Sequence, residues 1–552
     1  MNAQEVYNFA PELEKTIIYI DMKQIGFKNF RRFAKFPSME LSPITIFVGE
    51  NNAGKSTVVK GILALSDFLN SWRAIEFENT IIEFKNAKGK KRKELIIELL
   101  KNQKFYFNTS YLAHIGTFKR AIYNKSDNNI ITFFTSLGYK DIEIEVTGDK
   151  NDDEAVSGII SKVKVIYNMY NVHLSFDLLN DKATVDFLPK TKNEISTEGY
   201  PKKIQKGIEE YFDSFTKPVS ICTRISNNLR IYLPELISLL VDSVATAINA
   251  TLNPEKMAKE VDSEIMDAPT PIENLSSDDI AFLQTYTKCI SAPTAYSRTE
   301  KQYFRFPDSN FYMRSLDIEY LYAHAVTQTV IYSAKDTNDY LSRTIHEYAS
   351  MSYKTYKHEF ITKWMKAFGI GVDFNIRSVG GEAHIVHIIN SDGEEVNLAD
   401  KGMGSIQLMV LLFRLAITLP SKELTKERRI IDYRVPRINK VIIIEEPEQN
   451  LHPMLQSKLA DLFYALNAEY GYRFIIETHS EYIIRKTQVI VKENFNDEKR
   501  PLKENPFKVF YFNSSDSEKP YYEIIYQKDG SFSNDFGKGF FDEASNLAFE
   551  IL

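Results

Sequence analysis

Gly49-Glu50-Asn51-Asn52-Ala53-Gly54-Lys55-Ser56-Thr57 is the stretch on which the reading of this 552-residue chain turns. Two glycines bracket four residues and are followed by a lysine and a hydroxyl, the pattern of a phosphate-binding loop. The run before it, Ile44-Thr45-Ile46-Phe47-Val48, reads as a buried strand, and Val58 to Leu69 reads as a helix. A strand that breaks into a Gly-rich turn and then a helix aims backbone N–H groups and a helix N-terminus at one point. Gly49, Asn51, Asn52, Ala53, Gly54, Lys55, Ser56 and Thr57 are therefore the candidate nucleotide contacts. Lys55 would reach the β- and γ-phosphates and the Ser56 hydroxyl would coordinate Mg²⁺. The pattern implies a nucleoside triphosphate, ATP, as ligand.

A chain of this length exceeds one simple core, so two or three folding units are expected. Hydrophobic content of 43% with 26% charged residues is that of an ordinary soluble globular protein. A formal charge of −6 gives no whole-chain case for nucleic acid, so any basic site must be local. The two cysteines, Cys222 and Cys289, lack metal-like spacing and suit a reducing cytosol. The N-terminus does not read as a signal peptide, and the most apolar run, Ile231 to Ile248, contains Pro234, Glu235 and Asp242. That run suits a buried or interface helix better than a membrane span, so a cytoplasmic protein without a membrane partner is expected.

Outward from the loop, Ile81 to Phe84 and Leu95 to Glu98 read as strands, with six cations in nine residues between Lys85 and Lys93. Such a run is a solvated hairpin tip or a contact to a phosphate backbone. From Ile130 to Leu188, alternating apolar stretches suggest antiparallel strands, with Asn180-Asp181 as a tight turn. Helical spacing marks Lys202 to Phe215 and Asn228 to Leu252. A further helical region, Asn338 to Phe368, precedes strands at Val372 to Ile376 and Ala383 to Ile389. This organisation divides the chain into an N-terminal lobe (1–192), a mainly helical insertion (193–288) and a C-terminal lobe (289–552).

The C-terminal lobe holds the second half of a site. Lys440-Val441-Ile442-Ile443-Ile444-Glu445-Glu446-Pro447-Glu448 is a continuous apolar strand ending in paired carboxylates. Strands of this kind are buried on both faces, as in a parallel sheet, and ligands of open α/β sheets bind at their carboxyl ends. Glu445 stands where Mg²⁺ would be held, and Glu446 where an attacking water would be polarised. Phe474-Ile475-Ile476-Glu477-Thr478-His479-Ser480 is a second such strand, and His479 at its end could hydrogen-bond a γ-phosphate and sense its loss. Gly402-Met403-Gly404-Ser405, opening a helix over Leu408 to Thr418, makes a second anion cradle. One triphosphate needs one cradle, so Gly404 and Ser405 would serve the nucleotide held by another copy.

The order of these motifs resembles the ABC-type ATPase heads of the RecF, SMC and OLD-nuclease group. Glu445-Glu446-Pro447-Glu448-Gln449-Asn450-Leu451-His452-Pro453 looks like the Glu-Glu-Pro-Glu-x-x-Leu-His-Pro motif of OLD-like ATPases, and Asp400 to Gln407 like their signature loop. Asn29-Phe30-Arg31 is similar to the N-terminal Asn-Phe-Arg of the group, which implies that Arg31 approaches the nucleotide. The segment Ser291 to Arg305 resembles their middle segment, and Gly539-Phe540-Phe541-Asp542 the tail of a bacterial subgroup. The glutamine that such heads place after the first helix has Gln103 and the Tyr111 to His114 segment as candidates.

The resemblance implies an α/β, two-lobed ABC-type ATPase head: a mixed sheet around the P-loop, an antiparallel β subdomain and a helical insertion. OLD nucleases carry a metal-dependent nuclease domain that this chain has no acidic cluster to build. The nearest fit is the ATPase of the Septu type, PtuA-like, including retron-associated ones. That likeness implies an ATP- and Mg²⁺-dependent homodimer or higher oligomer, acting with a separate HNH nuclease, PtuB-like, in bacterial anti-phage defence. Nucleic acid, either DNA or a retron's RNA/DNA, is a further candidate partner. The alternatives are a RecF/SMC-like DNA-repair ATPase, supported by the basic run alone, and an ATP-sensing scaffold that restrains a toxic partner. A membrane-transporter subunit is disfavoured by the Glu-Glu-Pro-Glu motif.

Overall fold

A computed structural model describes residues 22–71, 87, 89–107, 114–137, 140–168, 171–188, 217–229, 236–254, 270–291, 318–321, 329–333, 335, 339–351, 355–419, 440–495, 504–513 and 519–551. The expected strand at Ile81 to Phe84, the helix over Lys202 to Phe215, and most of the Tyr111 to His114 and Ser291 to Arg305 segments lie outside the described residues.

Nineteen strands are described, in three sheets. The first sheet is antiparallel throughout and contains β1 (Met22–Phe30), β2 (Phe33–Glu40), β4 (Lys104–Tyr106), β5 (Ile130–Leu137), β6 (Lys140–Thr147), β7 (Ser157–Tyr167), β8 (Val172–Asp177), β9 (Lys182–Phe187) and β10 (Val219–Arg224). Its order is β10-β9-β8-β7-β6-β5-β1-β2, with β4 on the side of β7. Most of it is a meander, as the alternation of β6 shows: Ile142, Ile144 and Val146 point into the core while Asp141, Glu143 and Glu145 do not. Asp181, in the left-handed region at φ 53°, closes the β8–β9 hairpin at the expected turn.

The second sheet carries the motifs. It is built from β3 (Ile44–Gly49), β11 (Ile318–Leu321), β16 (Val441–Glu445), β17 (Arg473–Glu477), β18 (Phe507–Phe512) and β19 (Tyr521–Ile524), in the order β11-β16-β17-β3-β18-β19. All pairs are parallel except the last, so the sheet is mixed. The runs of apolar residues that mark β3, β16 and β17 have a direct cause. Phe47, Ile443, Ile475 and Phe510 enter one hydrophobic core with the antiparallel sheet, whereas Ile46, Ile444, Ile476 and Val509 enter a second core. Period-two alternation thus feeds two cores and keeps both faces mainly apolar, with the buried Thr45 hydroxyl of β3 bonded to Ser42. The second core is completed by helices and by a small antiparallel sheet of β12 (Tyr332–Ser333), β13 (Asp373–Val379), β14 (Ala383–Ile389) and β15 (Glu395–Asn397). The α/β class, with two lobes and an antiparallel subdomain, is as expected.

One local expectation fails. Leu95 to Glu98 is not a strand but lies within a helix, Gly89–Lys101, whose buried residues Arg92, Ile96 and Leu100 recur every four positions. The basic run therefore does not end in a hairpin tip: Lys90 and Lys91 are exposed on the first turn of that helix, and Lys90 pairs with Glu94 at 3.8 Å. Of the two readings of the apolar run, buried or interface, the helix Leu236–Leu252 takes the first: Leu236, Ile237, Leu240, Val244 and Ile248 are all buried. Between residues 193 and 288, the described residues also include β10, which extends the antiparallel sheet beside β9.

Candidate nucleotide site

Three adjacent parallel strands, β16, β17 and β3, bring their carboxyl ends to one place. The loop after β3 needs its glycines. Gly49 has φ 126°, and a side chain there would collide with the Phe512 carbonyl of β18. Gly54 has φ 110°, and a side chain there would strike the Phe33 ring and the Arg32 stem. Asn52, at φ 59°, takes the left-handed conformation that asparagine tolerates. The helix Lys55–Ser71 begins directly after Gly54. Among the described residues, the amides of Lys55 and Ser56 donate to no backbone carbonyl, as the first turn of a helix requires, and they face the loop as free donors.

Lys55 is only 4% exposed. Its Nζ donates to the carbonyls of Gly49 at 3.0 Å and Glu50 at 2.9 Å, so the ammonium lies across the loop. Burial lowers its pKa, and the acids Glu477, Glu446, Glu448 and Glu50 oppose that shift. The Ser56 hydroxyl donates to Glu477 Oε1 at 3.0 Å.

Glu445 and Glu477 are register partners at the ends of β16 and β17. Glu446 follows at φ 47°, an uncommon conformation for a residue other than glycine and one of the strained positions that cluster at functional sites. Its amide donates to the Glu477 carbonyl at 2.7 Å, and its carboxylate receives the Gln449 side-chain amide. Glu448 turns the other way: its Oε1 accepts the backbone N–H of His479 at 2.6 Å, and burial raises its pKa against those hydrogen bonds. It joins the two acid-bearing strand ends through that oxygen, and its Oε2 is buried without a hydrogen-bond partner. His479 is exposed at the rim, and its pKa is lowered first by local desolvation and then by Lys55, with Glu446 acting in the opposite sense. Its imidazole is therefore biased towards the neutral form, which can donate a hydrogen bond without adding charge.

Glu477 belongs to the site although no motif position marks it. It is 5% exposed, and burial, with Glu445 second, raises its pKa to about 7. Its Oε2 is buried without a hydrogen-bond partner. The sequence does carry a signal for it: an acid inside an otherwise apolar strand must find a compensating partner. Hard oxygen donors of this kind, Ser56 Oγ with the Glu445 and Glu477 carboxylates, suit Mg²⁺, and the unpartnered Oε2 is an acceptor for which the described residues supply no donor.

The remaining expected residues fall around this centre. Arg31 sits in the β1–β2 turn at φ 51°, the same turn whose Arg32 and Phe33 pack on Gly54. Burial and then Arg120 lower its pKa, and Lys60, one helical turn beyond Ser56, feels both arginines together with Glu445 and Glu477. Asn51 and Asn52 are exposed at the loop tip, Ala53 is buried and Thr57 is half-buried. Gln103 is buried and donates to the Leu99 carbonyl at 2.8 Å, closing its own helix, and His114 is exposed. Gly404 and Ser405 open the helix Met403–Thr418, which has Gly402 as its cap. A side chain at Gly404 would strike the Asn450 carbonyl, and the Asn450 amide reaches Gln407 at 3.4 Å. The second cradle thus rests on the loop that follows Glu446, and the hydrogen bond of the Ser405 amide stays within its own turn.

A family model for an AAA ATPase domain matches residues 22–484. No curated protein matches the chain. Among solved structures, the Smc head domain with an extended coiled coil bound to the C-terminal domain of ScpA, from Pyrococcus furiosus, is similar at 11% identity and TM-score 0.30, over 96% of this chain and 99% of that one. The SmcHead bound to the C-winged helix domain of ScpA gives 12% identity and TM-score 0.30, over 93% and 99% of the two chains. The SMC head domain from Thermotoga maritima gives 8% and 0.29, over 92% and 99%.

Proposed function

This chain belongs to the AAA ATPase domain family and is an ATPase, and from that premise we propose that it is an ATP-gated dimer that controls a separate nuclease. ATP lies on the Gly49 to Thr57 loop, with Lys55 on its β- and γ-phosphates. Glu446 polarises the attacking water, and His479 donates to the γ-phosphate and loses that contact after hydrolysis. When bound with the nucleotide, Mg²⁺ would neutralise phosphate charge, held by Ser56 and Glu445. The observation that carries this reading is the meeting of Lys55, Ser56, Glu445, Glu446, Glu477 and His479 at the ends of three adjacent parallel strands.

The dimer follows from the second cradle. Gly404 and Ser405 have a helix N-terminus to offer, and their contacts run to the Asn450 loop. A second copy's phosphates would complete them, and hydrolysis would open the interface by withdrawing the γ-phosphate. The cutting partner, an HNH-type nuclease in phage defence by the resemblance above, would read that opening. With the Leu236–Leu252 helix committed to the core, we place this partner on the C-terminal region. Leu547 and Phe549 there are 51% and 75% exposed on the helix Glu543–Ile551.

The test is light scattering after size exclusion in ATP and Mg²⁺. Glu446→Gln is expected to hold ATP and to elute as a stable dimer, whereas Ser405→Arg with Glu446→Gln binds ATP as a monomer. A double variant that still dimerises on ATP removes the cradle from the interface.

A further inference from the structure

We propose that Glu477 is a direct holder of the divalent cation that accompanies ATP, acting with Ser56 from the strand that also carries His479. The inference rests on the nucleotide site proposed above and adds a residue that the motif assignment left without a role.

Four observations converge on Glu477. Its side chain is buried, at 5% exposure. One oxygen, Oε1, takes the Ser56 hydroxyl proton at 3.0 Å. That hydrogen bond orients Ser56: a hydroxyl with its proton spent on Glu477 has only lone pairs left to present to a cation. The other oxygen, Oε2, is buried without any donor. Finally, two further carboxylates act on it, Glu445 as its register partner and Glu446 directly after that partner in the chain. Lys55 and, more weakly, Lys60 oppose them, but the Lys55 ammonium is already shared between the Gly49 and Glu50 carbonyls.

A buried carboxylate with one satisfied oxygen, set among further carboxylates, is costly unless a cation joins it. Mg²⁺ favours a few hard oxygen ligands from the protein and completes its shell with phosphate and water. The geometry requires that cation to arrive at Ser56, which is the loop position that already serves metal in phosphate-loop proteins. Glu477 also joins two parts of the machine. Its carbonyl accepts the Glu446 amide at 2.7 Å, and His479 lies two residues further on. A cation pulling on Glu477 would thereby set both the residue proposed to polarise water and the residue proposed to sense phosphate.

The experiment compares nucleotide and metal binding separately. ATP affinity is measured by calorimetry in excess EDTA and again with Mn²⁺, and the Mn²⁺–ATP complex is followed by paramagnetic resonance. Wild-type protein is expected to bind ATP more tightly with Mn²⁺ and to broaden its signal. Glu477→Gln, which keeps size and a hydrogen-bond acceptor for Ser56, is expected to bind ATP in EDTA as well as wild type or better. Its Mn²⁺ affinity should fall by about tenfold or more, with Glu477→Asp recovering part of the loss. Thermal melts of both variants check that they fold. Unchanged Mn²⁺ affinity and spectrum in Glu477→Gln overturn the assignment, and so does a loss confined to Glu445→Gln. If wild-type protein binds ATP in neither condition, the nucleotide site itself fails and takes the Glu477 assignment with it, whereas the variant results strike Glu477 alone.

Discussion

At the scale of single residues, the two acids after β16 are separated by where their oxygens go. Glu448 spends one on the His479 amide, whereas Glu446, in a strained left-handed backbone, takes the Gln449 side-chain amide and acts electrostatically on both Lys55 and His479. Glu446→Gln should therefore lower ATP turnover by about 100-fold or more, the scale of a lost general base. Glu448→Ala should lower it by about tenfold through displacement of His479, a change of roughly 1.4 kcal/mol in barrier. Steady-state phosphate release on matched, nucleotide-saturated samples decides between them, and the reverse ranking would move the role to Glu448. Lys55, Ser56, Glu446 and His479 are legible in the sequence because each follows an apolar run of fixed length. Glu477 is legible only in part: an acid in an apolar strand must find a partner, but nothing announces that the partner is Ser56, more than four hundred residues earlier in the chain.

Elements are tied together by buried charges that pattern alone does not reveal. Arg414, on the Met403–Thr418 helix, is buried and pairs with Glu319 of β11 and with Glu347, which lies 2.6 Å from its Nη1. Lys357, 4% exposed, donates to the Ile417 carbonyl at 2.7 Å and so caps the last turn of the same helix. Burial brings the Lys357 pKa down to about 8, with Glu347 resisting. In the unfolded chain a lysine titrates near 10.4, so the folded state holds fewer protons between about 8 and 10.4 and its stability rises across that window. Below about pH 8 the whole cost of the buried charge, up to about 3 kcal/mol, is present. Lys357→Met should erase this rise, and urea melts of the two proteins at pH 7.5 and pH 10 measure it. Parallel pH curves for variant and wild type would show that solvent reaches this ammonium freely. The helices and strands of this lobe are readable from periodicity. The Gly89–Lys101 helix is not, because Leu95-Ile96-Ile97 looks like strand until Arg92, Ile96 and Leu100 are seen to share one buried face. Strand β10 is equally hard to read, because its residues are mixed in polarity and only its pairing with β9 makes it a strand.

For the whole molecule, the division of labour makes a plain demand. Among the described residues, no group of three or more His, Cys, Asp or Glu side chains could hold a catalytic metal, and no helix is long and apolar enough to cross a membrane. The purified chain should leave DNA and RNA intact with Mg²⁺ or Mn²⁺, and cutting in cells should need a second, nuclease-bearing protein. A nuclease assay on protein freed of partners, with Glu446→Gln as the contamination control, tests this. Metal-dependent cleavage that stays with the chain through every purification step would end the proposal.

The placement of β3 has a consequence for how the molecule is made. This strand is paired on one side with β17 and on the other with β18, so Ile44 lies beside Phe474 and Phe507, and the Glu50 amide at the mouth of the loop is held by the Phe512 carbonyl. On the ribosome, β3 emerges long before either neighbour exists. At roughly 5–20 residues per second, it waits on the order of half a minute to a minute and a half for its partners. Until then the loop has neither its flanking strands nor the acids that face it. A nascent or truncated chain that lacks β17 and β18 therefore cannot assemble the ATP site, and the switch waits until residues through Phe512 have been made.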